Sequence, residues 1–292
     1  MTNNISSEKI SVIGLGQMGK RIAEILVQNN YDVTVWNRTA GKANVKRSKV
    51  SEQVEHAIAQ SKISIICVLD NAAVMEILND VKDKKVFDNK VILNFTTGSP
   101  AEVKELELWL KDVGTAYVNG AIQVAPNQMG LPDTTILIGG KREAFKLCEP
   151  ILSVLGGNVK FLGEHASASP AMDMATLSWV YGSCIGLFYG AALCQKEGIN
   201  LEVYRAIVEE IAPGFLEFYK HEINMINQSN FKITQSPLSI SVGASQRIAD
   251  TVKSMGFDTD FTDAIATLLR KASDKGYQDE EVAALIKVIG NR

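Results

Sequence analysis

Metal-ligating patterns are missing from this 292-residue sequence. Its three histidines, His56, His165 and His221, stand far apart with no second ligand at the short spacing of a zinc site. Each reads as a surface or core histidine, and no metal is expected. Cysteine is scarce too. Cys67, Cys148, Cys184 and Cys194 sit in apolar runs without a C-x-x-C pair, which excludes a disulfide framework and suits buried thiols in the reducing cytoplasm. A basic excess is absent, the formal net charge being −3, so neither nucleic acid nor an anionic membrane surface is an expected partner. The first residues, Met1 to Lys9, lack the apolar run of a secretory leader. Lysine is missing altogether between Lys160 and Lys196. The remainder is ordinary for a soluble enzyme: 46% hydrophobic and 22% charged residues, at a length that fits one large or two modest domains.

The densest signal that is present lies near the start. Ile10-Ser11-Val12-Ile13 reads as a strand and runs into Gly14-Leu15-Gly16-Gln17-Met18-Gly19, a G-x-G-x-x-G turn. Its first glycine permits the tight turn, the second lets backbone approach a pyrophosphate, and the third lets helix and strand pack closely. A helix is predicted over roughly Gln17 to Gln28, and its N-terminal amides would face the phosphates. A second strand, Tyr31 to Trp36, then ends in Asn37-Arg38-Thr39. Enzymes that use NAD carry Asp or Glu there to accept from the ribose 2′-hydroxyl. Here a neutral Asn37 is followed by Arg38 and Thr39, with Lys42 close behind, and that set suits a 2′-phosphate. NADPH is therefore the expected cofactor.

Alternation of strands and helices continues beyond Thr39. Strands are predicted at Ile63–Leu69, Val91–Phe95, Ala116–Ala121, Thr134–Gly139 and Val159–Leu162, with Ser99-Pro100 opening a helix. The fold class is α/β: a parallel, doubly wound Rossmann sheet over residues 1–163, then an inter-domain helix and an all-α domain over residues 164–292. Ligands of such sheets bind outside the carboxyl ends of the strands, which places Val68, Leu69, Asp70, Asn94 and Thr96 near the cofactor. The stretch Met174 to Cys194 has twenty-one residues without a formal charge. Its length admits a membrane span, but its flanks show no basic asymmetry, and burial inside an assembly is favoured. Within it Ser178, Gly182, Gly186, Gly190 and Cys194 form a small-residue stripe suited to close helix contact. One subunit of this size can hardly enclose such a helix, so a partner subunit is expected.

The glycine turn, Trp36-Asn37-Arg38-Thr39, Asn94 through Pro100, Asn119-Gly120-Ala121-Ile122, Gly163 through Asp173 and Arg270 through Tyr277 together carry a resemblance. The chain resembles the β-hydroxyacid dehydrogenase (6-phosphogluconate dehydrogenase-like) superfamily and, within it, is similar to the imine reductases and reductive aminases. Two departures from the hydroxyacid members bear on activity. Where those members place a catalytic lysine and, four residues on, an asparagine, this chain has Asp173 and Leu177. Where they hold a substrate carboxylate on a serine-glycine-glycine segment, it has the bulkier Gly120-Ala121-Ile122-Gln123-Val124-Ala125-Pro126.

The resemblance implies NADPH-dependent reduction of a C=N bond, an imine or a ketone plus an amine as substrate, and a homodimer with intertwined helical domains. It also implies Asp173 as proton donor or counter-charge to an iminium, Tyr181 lining the site and Asn94 near the reacting nitrogen. Ile122, Val124, Leu177, Phe215 and Tyr219 are the implied pocket wall. Reduction of a ketone builds negative charge on oxygen and favours an ammonium donor, whereas hydride addition to an iminium consumes positive charge and favours a carboxylate. Alternatives remain open at this point. Asp173 stabilises a helix start, Tyr181 is a core aromatic, or the chain reduces a small hydroxy acid or aldehyde, or binds NADPH without turnover.

Overall fold

The structure is a computed structural model that describes residues 8–39, 41 and 44–290. Packing divides it into two compact units, residues 1–179 and 180–292. The first is built on an eight-stranded sheet. Its strands are β1 (Lys9–Ile13), β2 (Asp32–Trp36), β3 (Lys49–Val50), β4 (Ile63–Ile66), β5 (Val91–Asn94), β6 (Ala116–Ile122), β7 (Thr135–Gly140) and β8 (Asn158–Gly163), in the order β3-β2-β1-β4-β5-β6-β7-β8. The strand order reverses between β1 and β4, which opens the crevice where this architecture takes ligands. Alternate side chains feed two cores. Ile10, Val12, Ile63, Ile65, Val91 and Leu93 face α1 (Gln17–Gln28) and α5 (Arg142–Leu155). Ile13, Ile66 and Ile92 face α2 (Val54–Ala59), α3 (Asn71–Asp80) and α4 (Pro100–Asp112). β4 is buried at every position, as a parallel strand covered on both faces must be.

One expectation is corrected here. The sheet is not wholly parallel, because β6 and β7 pair antiparallel, Ile122 opposite Ile136. The twelve residues 123–134 that join them contain no α-helix, only the short turn Pro126–Gln128, so no helix carries the chain across the sheet face and β7 runs back along β6 as in a hairpin. The helix opened by Ser99-Pro100 forms as predicted. Ser99 Oγ accepts from Glu102 N, and the Glu102 carboxylate accepts from Ser99 N in return, a reciprocal cap.

The long helix, α6 (Ala168–Lys196), starts well before the uncharged stretch and runs out of the first unit. The packing division falls inside α6, where Ser169 and Asp173 are bonded to residues of the sheet region. Asp173 lies in the second turn, and no acidic residue occupies the first, so the helix-start reading of Asp173 is corrected. Within the second unit the rest of α6 is joined by α7 (Leu201–Gln228), α8 (Leu238–Ser254), α9 (Asp260–Ala272) and α10 (Ile286–Ile289). The small-residue stripe is partly used inside the chain. A Cβ on Gly190 would lie 2.1 Å from Tyr204 Oη, and that hydroxyl donates to Leu187 O at 3.2 Å, whereas nothing lies within 4 Å of Gly182. α6 is long and apolar enough to cross a membrane, yet Trp179 (55%) and Phe188 (65%) stand open to solvent in the single chain.

Candidate active site

Two clefts open side by side at the carboxyl ends of the strands in the first unit, sharing Met18, Cys67 and Val68 in their walls. The first, about 540 Å³, is walled by the glycine turn, Trp36 to Thr39 and Cys67 to Leu69. Its glycines are demanded by backbone. Gly14 has φ +93°, and a Cβ there would lie 2.3 Å from Cys67 O. A Cβ on Gly19 would lie 2.1 Å from Gly14 O, while Gly16 has open space in front of it. α1 begins at Gly16 with no side-chain cap and no acid in its first turn, so its free amides fit the pyrophosphate of a dinucleotide.

Asn37 does more than replace an acid. Leu15 N donates to Asn37 Oδ1 at 2.9 Å, and Asn37 Nδ2 donates to Thr39 O at 3.0 Å, which latches the glycine turn to the end of β2. Arg38 stands exposed on the rim, its Nη1 3.2 Å from Glu76 Oε2. Gln17, Met18 and Thr39 also line this cleft, and Lys42 lies outside the described residues. Val68 N donates to Thr96 Oγ1 at 3.1 Å, which ties the loops after β4 and β5 together. Leu69 is 86% exposed. Asp70, expected near the cofactor, also caps α3, its carboxylate accepting from Ala73 N at 2.8 Å.

The second cleft, about 230 Å³, is walled by Phe95 to Gly98, Asn119 to Ile122, Pro170 and Asp173. Asp173 Oδ1 accepts from Gln123 Nε2 at 2.5 Å. Neither lysine nor arginine occurs among the described lining residues. Cys67 is the other titratable group there, and burial pushes its thiol up to about 11, with the Gly19 N–H opposing in part. Asn94 is placed differently from the expectation. It is wholly buried, beneath the cleft wall rather than in it. Asn94 Nδ2 faces Asn71 Oδ1 at 3.1 Å and Tyr117 Oη at 3.0 Å, and its Oδ1 accepts from Thr96 N at 3.0 Å. Tyr117 Oη donates to Asn119 Oδ1 at 2.8 Å and Asn119 Nδ2 to Ser169 Oγ at 2.9 Å, so a polar chain runs from α3 to α6 under the cleft. Burial pushes the Tyr117 phenol up, keeping this chain neutral.

Of the implied pocket residues, Ile122 lines the second cleft and Val124 packs against the core on the α1 side. Leu177 lies one turn beyond Asp173 on α6. Tyr181, Phe215 and Tyr219 belong to the second unit and are exposed there, with the Phe215 and Tyr219 rings 6.4 Å apart on α7. Gln123, Asn119, Ser169 and Thr176 were not marked as site residues by the sequence. Their partners are about fifty positions away, and no local signal exposes such pairs. The second unit also brings His221 together with Glu222 and Glu281, although histidine spacing gave no hint of it. Glu281 is already engaged by N–H groups of Thr234, Gln235 and Ser236, and this cluster organises a loop.

Residues 9–163 match the family model of the NAD binding domain of 6-phosphogluconate dehydrogenase, and residues 165–291 match that of the NADPH-dependent reductive aminase-like C-terminal domain. The chain belongs to the imine reductase and reductive aminase family. Over 288 residues it is 26% identical to the NADPH-dependent reductive aminase of Aspergillus oryzae, covering 96% of this chain and 97% of that one. An imine reductase structure from a Pseudomonas species matches with a TM-score of 0.87 at 28% identity, over 97% of this chain and 99% of that one. The Aspergillus terreus reductive aminase in complex with NADPH and ethyl levulinate matches equally, with a TM-score of 0.87 at 28% identity over 97% and 100%.

Proposed function

We propose that this protein reduces imines and iminium ions to amines with NADPH, using Asp173 as the carboxylate at the reacting carbon–nitrogen bond. The observation that carries the reading is the second cleft: one carboxylate, no cationic side chain, and a wall shared with the dinucleotide cleft. When bound, NADPH supplies the hydride. The α1 amides hold its pyrophosphate, and Arg38 and Thr39, with Lys42, take the 2′-phosphate. Asp173 stabilises positive charge on the substrate nitrogen or delivers a proton to it. Asn94, engaged by Thr96 N, is a positioning residue that sets the loop after β5. Ile122 gives the second cleft an apolar wall, and Val124, Leu177, Tyr181, Phe215 and Tyr219 are the further candidates for substrate contact.

The assembly is a homodimer. The exposed apolar residues of α6 and α7, among them Phe188, Ile211, Phe215 and Ile223, support this reading, since a water-facing surface of that composition is unstable alone. Four free cysteines support a cytoplasmic location.

The test is NADPH consumption against a panel of cyclic imines, ketone plus amine mixtures, and small hydroxy acids and aldehydes. Turnover of imines is expected, and Asp173→Asn is expected to lower it by about 10²-fold or more. Turnover confined to hydroxy acids or aldehydes, or imine turnover unchanged in Asp173→Asn, overturns the reading.

A further inference from the structure

Asn71 is buried at the start of α3, and its amide has one acceptor end and one donor end. A backbone group decides which end faces which neighbour. Thr96 N can only donate, and it donates to Asn94 Oδ1 at 3.0 Å. The other end of the Asn94 amide is therefore Nδ2, which donates to Asn71 Oδ1 at 3.1 Å and to Tyr117 Oη at 3.0 Å, with Asn119 Oδ1 farther off at 3.3 Å. A reversed Asn71 would set one Nδ2 against another, two donors with nothing to accept. Asn71 thus presents its oxygen to Asn94, and its own buried Nδ2 has no hydrogen-bond partner among the described residues. A buried donor left in that state is costly, and such groups are rare enough to call for a reason. The unpartnered Nδ2 rests against Gly98, where a Cβ would lie 1.8 Å from it and 3.0 Å from Asn71 Cγ. The φ of Gly98 lies outside the left-handed region, so its backbone admits any residue and only the Asn71 amide excludes a side chain.

We propose that Asn71 is a positioning residue for imine reduction, whose Oδ1 fixes the Asn94 amide and whose Nδ2 end seats Gly98, so that Thr96-Thr97-Gly98 is held where it walls the second cleft. Asn71 acts through Asn94 rather than on the reacting atoms. This rests on the proposed part of Asn94 in setting the loop after β5. Asn71 meets that loop at two points, at its root through Asn94 and at the cleft wall through Gly98. Thr96, between the two, also accepts from Val68 N and so ties the same loop to the cofactor cleft. If Asn71 loses its oxygen, Asn94 keeps Thr96 N and Tyr117 Oη, so the fold survives while the amide gains freedom to turn. Displacement of a cleft wall then lowers the rate of the chemical step more than the binding of NADPH. The unpartnered donor is the cost of aiming the oxygen at Asn94.

The test is steady-state kinetics of the full chain with NADPH and a cyclic imine, with the melting temperature of each variant beside it. Asn71→Leu keeps the volume and removes the acceptor. It is expected to lower kcat about tenfold, short of the roughly 10²-fold that a full ångström of misplacement can cost, with the NADPH constant and the melting temperature close to wild type. Asn71→Asp keeps an oxygen for Asn94, drops the unpartnered donor and puts a negative charge at a helix start, so it is expected to recover most of the wild-type kcat. Gly98→Ala pushes the amide off Asn94 and is expected to be slow in the intact chain, yet to cost little more once Asn71→Ala has removed the amide; the two losses are not additive. Gly98→Ala also carries the test if Asn71→Leu folds poorly. Wild-type kcat in Asn71→Leu beside a slow Asn94→Ala overturns the role of Asn71. So does an Asn71→Asp as slow as Asn71→Leu, or a Gly98→Ala loss that is the same with and without the Asn71 amide. If Asn94→Ala itself reduces the imine at the wild-type rate, the underlying reading of Asn94 fails, and the inference with it.

Discussion

Gly16 and Gly19 stand three residues apart in one turn, yet the structure gives them opposite sensitivities. Gly16 has φ −63° and ψ −176°, which any residue adopts, and nothing lies within 4 Å of a Cβ placed on it. Gly16→Ala should leave the free protein intact, or stabilise it by about 0.4–1 kcal/mol through the unfolded chain. The same methyl group occupies the space through which a pyrophosphate would reach the α1 amides. A tenfold loss of NADPH affinity is about 1.4 kcal/mol, and at a concentration of 100 Kd it removes about half of the roughly 2.7 kcal/mol that the ligand contributes to stability.

Gly19→Ala is the reverse case. Its Cβ would lie 2.1 Å from Gly14 O and 3.4 Å from Cys67 O, both backbone atoms that cannot rotate away. Overpacking of this kind costs about 1–3 kcal/mol or more, and about 2–4 °C of melting temperature accompanies each kcal/mol in chains near this size. The assay is thermal unfolding of both variants with and without NADPH. Gly16→Ala should melt like the wild type alone and lose much of the NADPH-induced rise, while Gly19→Ala should melt several degrees lower in both conditions. A Gly16→Ala protein with full NADPH stabilisation, or a Gly19→Ala protein as stable as the wild type, refutes the cradle argument.

Arg38→Ala should raise the NADPH constant by about 10- to 100-fold and the NADH constant far less, since a charge-assisted bond to phosphate is lost. Equal weakening of both cofactors rejects the role of Arg38. Because Arg38 pairs with Glu76 at the rim, Glu76→Gln should tighten NADPH by about fivefold or less, the scale of an exposed ion pair. Gly182→Leu, with nothing within 4 Å of its Cβ among the described residues, should shift dimer toward monomer in sedimentation, whereas Gly190→Ala, crowding Tyr204, should lower the melting temperature. A wild-type protein that sediments as a well-folded monomer, or that needs detergent, rejects the dimer.

Burial, and then the charge of Glu281, hold the Glu222 carboxyl above the usual range, so the folded state keeps a proton that the unfolded state releases. Stability from this group therefore falls as pH rises above the unfolded value, and Glu222→Gln should raise the melting temperature at neutral pH and much less near pH ~4. No gain at neutral pH refutes that sign.

The parts of the fold that were legible in the sequence are those whose causes are local. The glycine turn, the apolar run of β4 and the Ser99 cap with Glu102 three residues on are each set by neighbours within one turn or one strand. The reversal at β6 and β7 was not legible, because alternation of apolar residues is the same in a parallel and an antiparallel strand. The direction goes with the lack of a crossover helix in residues 123–134, whose one helical piece is the turn Pro126–Gln128. Asp70 and Asn94 were assigned to the cofactor from their position after strands. Position locates a side chain near the crevice but not its partner, and here a helix cap claims one carboxylate and a buried amide chain claims the other residue.

The chemistry of the second cleft rests on residue type and on register together. Ser169 meets Asn119 and Asp173 meets Gln123, so positions four apart on α6 face positions four apart on β6 and just beyond it. A shift of one residue in that pairing would turn Asp173 about 100° around the helix, out of the cleft. Type alone was visible in the sequence as an aspartate in a long stretch without lysine. The register that makes it the one charged group of the described cleft wall was not. With Asp173 as the proposed reacting carboxylate, that single charge would also decide between substrates. A hydroxy acid would bring its own carboxylate toward Asp173 with no cation to separate them, and a nascent alkoxide would add a further negative charge. An iminium brings the opposite charge to the same oxygen and loses it as hydride arrives, so the cleft favours the cation on binding and opposes the anion at every stage of the alternative reaction.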